Sequence, residues 1–101
     1  MDWALPYYAV IFTSELREEN ADYSKMAAQM EELCKKQPGF LGMDHARSEK
    51  GITVCYWESL ESIANWKNNA LHQEAQHLGK NEWYKSYSVR ICKVEKSYGL
   101  F

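Results

Sequence analysis

A chain of 101 residues is long enough for one domain and too short for two. Its formal net charge of −2 provides no positive field, which excludes charge-driven binding to nucleic acid or to an anionic membrane. Hydrophobic residues make up 46% of the chain and aromatic residues 14%, so it is too apolar to be disordered. The many large rings indicate a lined cavity, a subunit interface, or both.

The N-terminal residues predict neither a secretory signal nor a membrane anchor. Asp2 stands where a signal peptide carries positive charge, and the uncharged run 3–14 is too short to span a bilayer. The cysteines are too few and too widely spaced for a disulfide framework or a CxxC redox pair: Cys34, Cys55 and Cys92. We therefore expect a reduced, cytoplasmic protein.

The first half of the chain predicts a strand followed by a helix. The run YYAVIFTS, residues 7–14, is rich in β-branched and aromatic residues, which is typical of a strand. An apolar stripe at helical spacing follows, and Asn20 or Asp22 can cap that helix. The stripe comprises Tyr23, Met26, Ala27, Met30, Leu33 and Cys34. Pro38 and Gly39 end the helix.

The second half predicts two strands, a helical region and a last strand. The runs FLGMDHARS and ITVCYWES are joined by EKG, with Gly51 at the tight position of a hairpin. Ser59 is the expected cap of a second helix, and a further helical stretch runs from about Leu71 past Gly79. The run YSVRICKVEKSY predicts a long strand. The order β-α-β-β-α-β predicts an α+β, ferredoxin-like subunit with an antiparallel sheet, one domain over residues 1–101.

Both faces of this sheet are apolar in the sequence. On the first strand Tyr8, Val10 and Phe12 alternate with Tyr7, Ala9 and Ile11. Two helical layers are too few to cover both faces, and a face that meets water should be polar. A second copy of the same sheet is the simplest partner that would bury the remaining apolar face. We therefore expect a symmetric homodimer that associates through its sheet faces.

The segments QPGFLGMDHARS and YWESLESIANWKNNALHQEAQHLGKNEWYKSYSVRICKVEKSYG resemble the antibiotic-biosynthesis-monooxygenase (ABM) family of dimeric α+β barrels. The resemblance covers residues 8–99 and is closest to small, largely uncharacterised bacterial members. It implies a pocket between the helices and the sheet of each subunit. Some members oxidise polycyclic aromatic phenols with dioxygen and no metal or flavin, others bind and degrade haem, and others have no established reaction.

The haem-degrading members use a first-strand asparagine, a helix tryptophan and an axial histidine ten residues beyond that tryptophan. Trp66 matches the tryptophan, but Gln76 stands at the histidine position, with His77 one place later. Ile11 stands at the asparagine position. Because two of the three residues are missing, the resemblance favours an enzyme without a cofactor and leaves haem as the alternative.

The segment HQEAQH, residues 72–77, imitates a metal-binding helix. His72 and His77 are five residues apart, a rotation of about 140° that puts them on different faces, so we expect no metal site. His72 instead falls in a row with Ala75, Gln76, Gly79 and Trp83, which suits a pocket wall. Its imidazole either accepts a proton from a phenolic substrate or only hydrogen-bonds a neighbouring loop.

The remaining candidates each have two interpretations. Trp66 is either a flat wall for an aromatic substrate or a core residue. Arg90 points either inwards, as a cation that stabilises a substrate oxygen anion, or outwards as ordinary surface. Tyr56, Tyr87 and Tyr98 either line the same space or pack in the barrel core.

The leading hypothesis is cofactor-independent oxygenation of a small aromatic or quinol-like substrate in a pocket within each subunit. Its catalytic candidates are His72 and Arg90, and its substrate-binding candidates are Trp66, Gln76, Trp83, Tyr56 and Tyr87. A haem-binding or haem-degrading protein is the first rival. A non-catalytic ligand-binding or stress-response protein on the same fold is the second.

Overall fold

The computed structural model describes residues 3–17, 21–76 and 83–100. Its elements are β1 (Tyr7–Leu16), α1 (Ala21–Lys35), β2 (Phe40–Arg47), β3 (Gly51–Trp57), α2 (Leu60–Gln76) and β4 (Tyr84–Val94). The predicted order is confirmed. The second helical region is one helix as far as Gln76, since neither Gly nor Pro interrupts it. Asn20 and the predicted continuation past Gly79 lie outside the described residues.

The four strands form one antiparallel sheet in the order β2-β3-β1-β4. This order confirms the ferredoxin-like plan. The register places residues of different strands side by side in rows, and all members of a row project from the same face. One such row joins Thr53, Phe12 and Val89, and another joins Cys55, Val10 and Ile91.

The two helices lie on one face and make their main contacts with β2 and β3. Beneath them Cys34, Trp57 and Ile63 form a buried core. Partly buried neighbours extend it: Tyr8, Val10, Phe40, Met43, Cys55 and Trp66. The core is therefore off-centre, and β4 lies at the other end of the sheet from the strands that the helices cover. No helix in the described part of the chain is long and apolar enough to cross a membrane.

The turn between α1 and β2 fixes where α2 begins. Gly39 has a positive φ of 85°, and a side chain there would collide with Ser62. Its carbonyl accepts a hydrogen bond of 2.8 Å from the amide of Glu58. Ser59 Oγ accepts a 3.0 Å hydrogen bond from the amide of Ser62, so the predicted cap is confirmed.

The other face of the sheet carries no helix and is partly covered by the N-terminal segment. The Trp3 ring packs on Tyr7 and Tyr56, with centroids 5.3 and 5.2 Å away. Gly42 leaves room for the Trp3 ring, which a Cβ would press against. Further along this face Ile52 is 47% exposed. An apolar face of this kind supports the expected homodimer, which stays a prediction.

Candidate functional site

The uncovered part of the helix-facing side forms an apolar surface, which we call the open strip. It comprises Val10 and Phe12 on β1 and Tyr87, Val89 and Ile91 on β4. The three β4 side chains are 43%, 51% and 51% exposed. They belong to this face because Val10, the row partner of Ile91, packs on the buried core. Several exposed apolar side chains on one side of a small domain mark a candidate ligand surface.

Trp66 bounds the open strip at its core end. Its indole stacks on Trp57, with ring centroids 6.3 Å apart and planes inclined by 23°. Trp57 is fully buried and stands edge-on to Phe40. Its Nε1 has no hydrogen-bond partner among the described residues. Trp66 is thus a half-buried residue that packs on the core, and its role as a wall for an aromatic substrate stays a prediction.

A cluster of rings bounds the other end of the open strip. We call it the aromatic cluster: Phe12, Tyr23, Trp83, Tyr84 and Tyr87. Neighbouring rings lie 5.5 to 5.8 Å apart, in the tilted and edge-on arrangements that aromatic pairs prefer. Tyr23 comes from α1, and the hydroxyl of Tyr84 donates to the Tyr23 hydroxyl over 3.5 Å. The cluster therefore links α1 to the beginning of β4.

The structure brings three of the predicted site residues to this side of the sheet. Trp66 stands at one end of the open strip, and Trp83 and Tyr87 stand at the other. The helical row that was to join Trp83 to His72 passes through residues 77–82, outside the described part. What places Trp83 near the open strip is its ring contact with Tyr23, 5.8 Å between centroids.

Arg90 does not lie with them. It pairs with Ile11, so it projects from the helix-free face, and it alternates with Val89 and Ile91 of the open strip. Its side chain is exposed, and its guanidinium donates to Ser88 Oγ over 3.0 Å. The outward alternative is therefore the one found, which removes Arg90 from the pocket of its own subunit.

Tyr56 also projects from the helix-free face. Its ring lies 6.0 Å from that of Tyr7, and its hydroxyl donates to Asp44 over 3.3 Å. Burial, together with the neighbouring Asp44 carboxylate, raises the pKa of Tyr56 above its usual value. The prediction that Tyr56 lines the same pocket as Trp66 is wrong. Neighbouring residues of a strand project from opposite faces, and it is Trp57, the neighbour of Tyr56, that packs on the helix-facing side. Tyr98 is 89% exposed, so it neither lines a pocket nor packs in the core.

His72 and Gln76 belong to α2, but their side chains lie outside the described part of the structure, as does His77. Their roles stay predictions. The described residues contain no group of three side chains that could hold a metal ion.

Haem is the cofactor to test against this site. The open strip offers a porphyrin a flat apolar surface, but Val10 and Phe12 have no polar atom, and Ile11 lies on the opposite face. The histidine among the described side chains, His45, is 3.7 Å from Glu31 and stands on the edge strand β2. Among the described residues, the open strip therefore supplies no axial ligand for haem.

Sequence reasoning missed two residues at this site, Tyr23 and Arg47. Tyr23 appeared only as a member of a core stripe on α1. Arg47 sits in the polar run DHARS, which looks like an exposed strand end. It nevertheless lies over the Tyr23 ring, 5.9 Å from the centroid. The available signal was the alternation of side chains along β2. Arg47 is four residues beyond Met43 and therefore projects from the same, core-facing side.

Comparison with known proteins agrees with this architecture. The family model for monooxygenase af470-like proteins matches residues 10–93. The uncharacterized protein YqjZ of Bacillus subtilis (strain 168) is 44% identical over 93 residues, which cover 90% of this chain and 82% of that protein. SnoaB, a cofactor-independent oxygenase from Streptomyces nogalater, superimposes with a TM-score of 0.75 at 10% identity, over 91% of this chain and 96% of its own. A MhuD variant with two manganese protoporphyrin IX bound per active site superimposes with a TM-score of 0.71 at 24% identity, over 91% of this chain and 98% of its own.

At 10% and 24% identity, the two solved structures establish a shared fold and not a shared activity. The family match extends from β1 to β4 and includes both helices. Together they confirm the resemblance to antibiotic-biosynthesis monooxygenases. The chain belongs to the monooxygenase af470-like family.

Proposed function

We propose that the protein is a cofactor-independent monooxygenase whose substrate, a small aromatic or quinol-like molecule, binds on the open strip. The observation that carries the proposal is the exposure of Val89 and Ile91, 51% each, on the same side of the sheet as Trp66. An aromatic substrate would cover this surface and contact the Trp66 indole. The shared fold with an oxygenase that needs no cofactor supports the reaction class.

The chemistry needs a proton acceptor and an apolar site. A substrate that loses a proton becomes an electron-rich anion, which can reduce dioxygen directly. Where the reacting carbon is a CH₂ between aromatic rings, one oxygen atom becomes its carbonyl, and the other leaves with both hydrogens as water. All four electrons come from the substrate, so no external reductant is required. An apolar surface excludes water and so strengthens the interactions that stabilise the anion.

His72 is the proposed base. An imidazole titrates near neutrality, so it can accept a phenolic proton and return it. Trp66 would orient the substrate ring, and the Gln76 amide would hydrogen-bond a substrate oxygen. Trp83 and Tyr87 would contact the substrate at the other end of the open strip.

Oxygen uptake tests the proposal. We expect the protein to accelerate oxygen consumption by anthrone above the rate of its spontaneous oxidation, with one dioxygen consumed for each carbonyl formed. His72→Ala should lower kcat about 100-fold, the usual effect of losing a general base. His77→Ala is the matched control and should leave kcat near the wild-type value.

Two outcomes would favour the rivals. A Soret band on adding haem, lost in His77→Ala or His72→Ala, would indicate haem binding. Saturable binding of anthrone with no oxygen uptake above background would indicate a non-catalytic ligand-binding protein. Uptake that is equal in the wild type and in His72→Ala would remove His72 from the mechanism.

A further inference from the structure

We propose that Arg47 is an anion-binding residue at the end of the open strip, and that the ligand it selects is an aromatic carboxylate. This inference rests on the open strip as a ligand surface and extends the proposed function by naming the substrate class. It does not require oxygenation. It follows from an unusual path taken by the Arg47 side chain.

Arg47 crosses a whole strand to reach its partner. The register joins Arg47 on β2, Gly51 on β3, Ser14 on β1 and Tyr87 on β4 in one row. Neighbouring strands lie about 4.8 Å apart, so β1 is about 10 Å from β2. The Arg47 guanidinium nevertheless donates to Ser14 Oγ over 2.6 Å. The side chain therefore lies flat on the helix-facing side of the sheet and points at the open strip.

Gly51 makes this path possible. A Cβ at Gly51 would collide with the Arg47 guanidinium. The backbone does not call for glycine here, because Gly51 lies within the extended strand β3. The sequence predicted that Gly51 served a tight hairpin. Its lack of a side chain instead leaves the space in which the guanidinium lies.

The guanidinium ends beside the aromatic cluster. It lies over the Tyr23 ring, whose centroid is 5.9 Å from Cζ. Tyr23 contacts Tyr84, and Tyr84 contacts both Phe12 and Tyr87 of the open strip. A ligand that places its ring against Phe12 and Tyr87 can therefore extend a charged group to Arg47.

The charge of Arg47 is not neutralised within the described residues. None of their carboxylates lies within ion-pair distance of it. Glu31, on the helix packed over β2, lies instead near Lys35 and His45, at 3.7 Å from each. Ser14 takes up one of the five N–H donors of a guanidinium and is a neutral acceptor. The planar fork of donors matches a carboxylate, which accepts two parallel hydrogen bonds.

A paired comparison of acid and amide tests this inference. The probes are 2-naphthoate and its neutral analogue 2-naphthamide, titrated into the full chain with tryptophan fluorescence or calorimetry as the readout. We expect wild type to bind the acid about tenfold more tightly than the amide, the usual gain from a charge-assisted pair. Arg47→Gln should abolish this preference, chiefly by weakening the binding of the acid. Arg90→Gln, an exposed arginine on the opposite face, is the matched control and should keep the preference.

Two further variants separate binding from a purely structural role. Arg47→Lys keeps the charge but loses the fork, so it should keep only part of the preference for the acid. Gly51→Ala keeps Arg47 itself but blocks its path, so it should reduce the preference as Arg47→Gln does. If all variants keep the preference, or if wild type binds acid and amide equally or neither, the inference is wrong. These variants also cover the case in which Arg47→Gln does not fold.

The outcome is distinguishable from that of the proposed function. An Arg47-dependent preference for the acid without any oxygen uptake would retain the anion site and reject the oxygenase. Formation of the carbonyl product from neutral anthrone with one dioxygen consumed for each carbonyl, combined with no preference for the acid, would do the reverse.

Discussion

The indole of Trp66 stacks on that of Trp57, with ring centroids 6.3 Å apart and an angle of 23° between the planes. Trp57 is fully buried and stands at 85° to the Phe40 ring. The stack therefore fixes the position of Trp66 at the border between the core and the open strip. One face of the Trp66 ring packs on Trp57, and the side chain stays partly exposed.

Truncation of Trp66 should affect stability and binding together. Removing a fully buried tryptophan side chain costs about 3–5 kcal/mol, and we expect about 2 kcal/mol for Trp66→Ala because the ring is only partly buried. Denaturant unfolding measures this loss. Trp66→Phe keeps a ring on Trp57 and should retain most of the stability and most of the affinity for 2-naphthamide. Unchanged stability in Trp66→Ala would contradict the stacking argument.

The open strip can be tested with a pair of isoleucines that differ only in the face they occupy. Ile91 is 51% exposed on the helix-facing side, and Ile52 is 47% exposed on the helix-free side. Ile91→Gln should change the free energy of unfolding by about 0.5 kcal/mol or less, as substitutions at exposed positions usually do. Ile91→Gln should weaken the binding of 2-naphthamide severalfold, whereas Ile52→Gln should not. Equal effects would show that the open strip is not the ligand surface.

If the protein is a homodimer that associates through the helix-free face, a substitution at Ile52 should affect the oligomeric state more than one at Ile91. Light scattering behind gel filtration should give the wild type twice the 11.8 kDa mass of one chain. Ile52→Lys would bury a charge between the two sheets and should shift the protein towards the monomer. Ile91→Lys is the matched control and should remain dimeric. A wild-type monomer at micromolar concentration would refute the dimer.

The fold was accessible from sequence because each element carries a local signal. The alternation of YYAVIFTS, the stripe of α1 and the break at Pro38 and Gly39 are each contained within one segment. The faces of the sheet were not accessible in this way. Alternation along β4 shows that Val89 and Arg90 project from opposite faces of the sheet. It does not show which of the two faces meets the helices, because both faces of the neighbouring strand β1 are apolar. Only the pairing of β4 with β1 decides this.

The position of the Arg47 side chain illustrates a second feature that the sequence alone does not reveal, a contact between residues far apart in the chain. Its partner Ser14 is 33 residues away in sequence and on a strand that does not neighbour β2. No local pattern encodes a contact of this kind, since it depends on the order of three strands. What the sequence does contain is a glycine, Gly51, whose function becomes clear only when the row across the sheet is known.

Cys34 on α1 and Cys55 on β3 are neighbours in the core beneath the helices. The hydrogen bond from Cys34 lowers the pKa of Cys55, although burial opposes the shift, and the same bond raises the pKa of Cys34. Cys34→Ala should therefore move the inflection in the pH dependence of iodoacetamide labelling at Cys55 to higher pH. Mass spectrometry assigns the labelled site, and Cys92, on the opposite face, is the control whose profile should not change. An unmoved Cys55 inflection would mean that the Cys34 hydrogen bond does not control its ionisation.

The raised pKa of Tyr56 predicts a loss of stability in alkali. Its causes are burial first and then the Asp44 carboxylate, which accepts the hydroxyl proton and repels a phenolate. In the unfolded chain the phenol ionises near pH 10, whereas in the folded protein it keeps its proton to higher pH. Over that interval the unfolded state binds fewer protons, so the contribution of Tyr56 is complete below pH 10 and is lost as the pH rises above it.

Asp44→Asn removes the charge but not the burial. It should lower the pKa of Tyr56 part of the way to its usual value and so reduce the alkaline loss of stability. The free energy of unfolding in guanidinium chloride, measured at intervals from pH 8 to above pH 10, gives the slope for wild type and variant. Tyr56→Phe is the reference, because it has no ionisable group and should show the smallest slope of the three. A wild-type slope equal to that of Tyr56→Phe would mean that Tyr56 ionises as a free phenol does, and that the Asp44 contact has no effect on its proton.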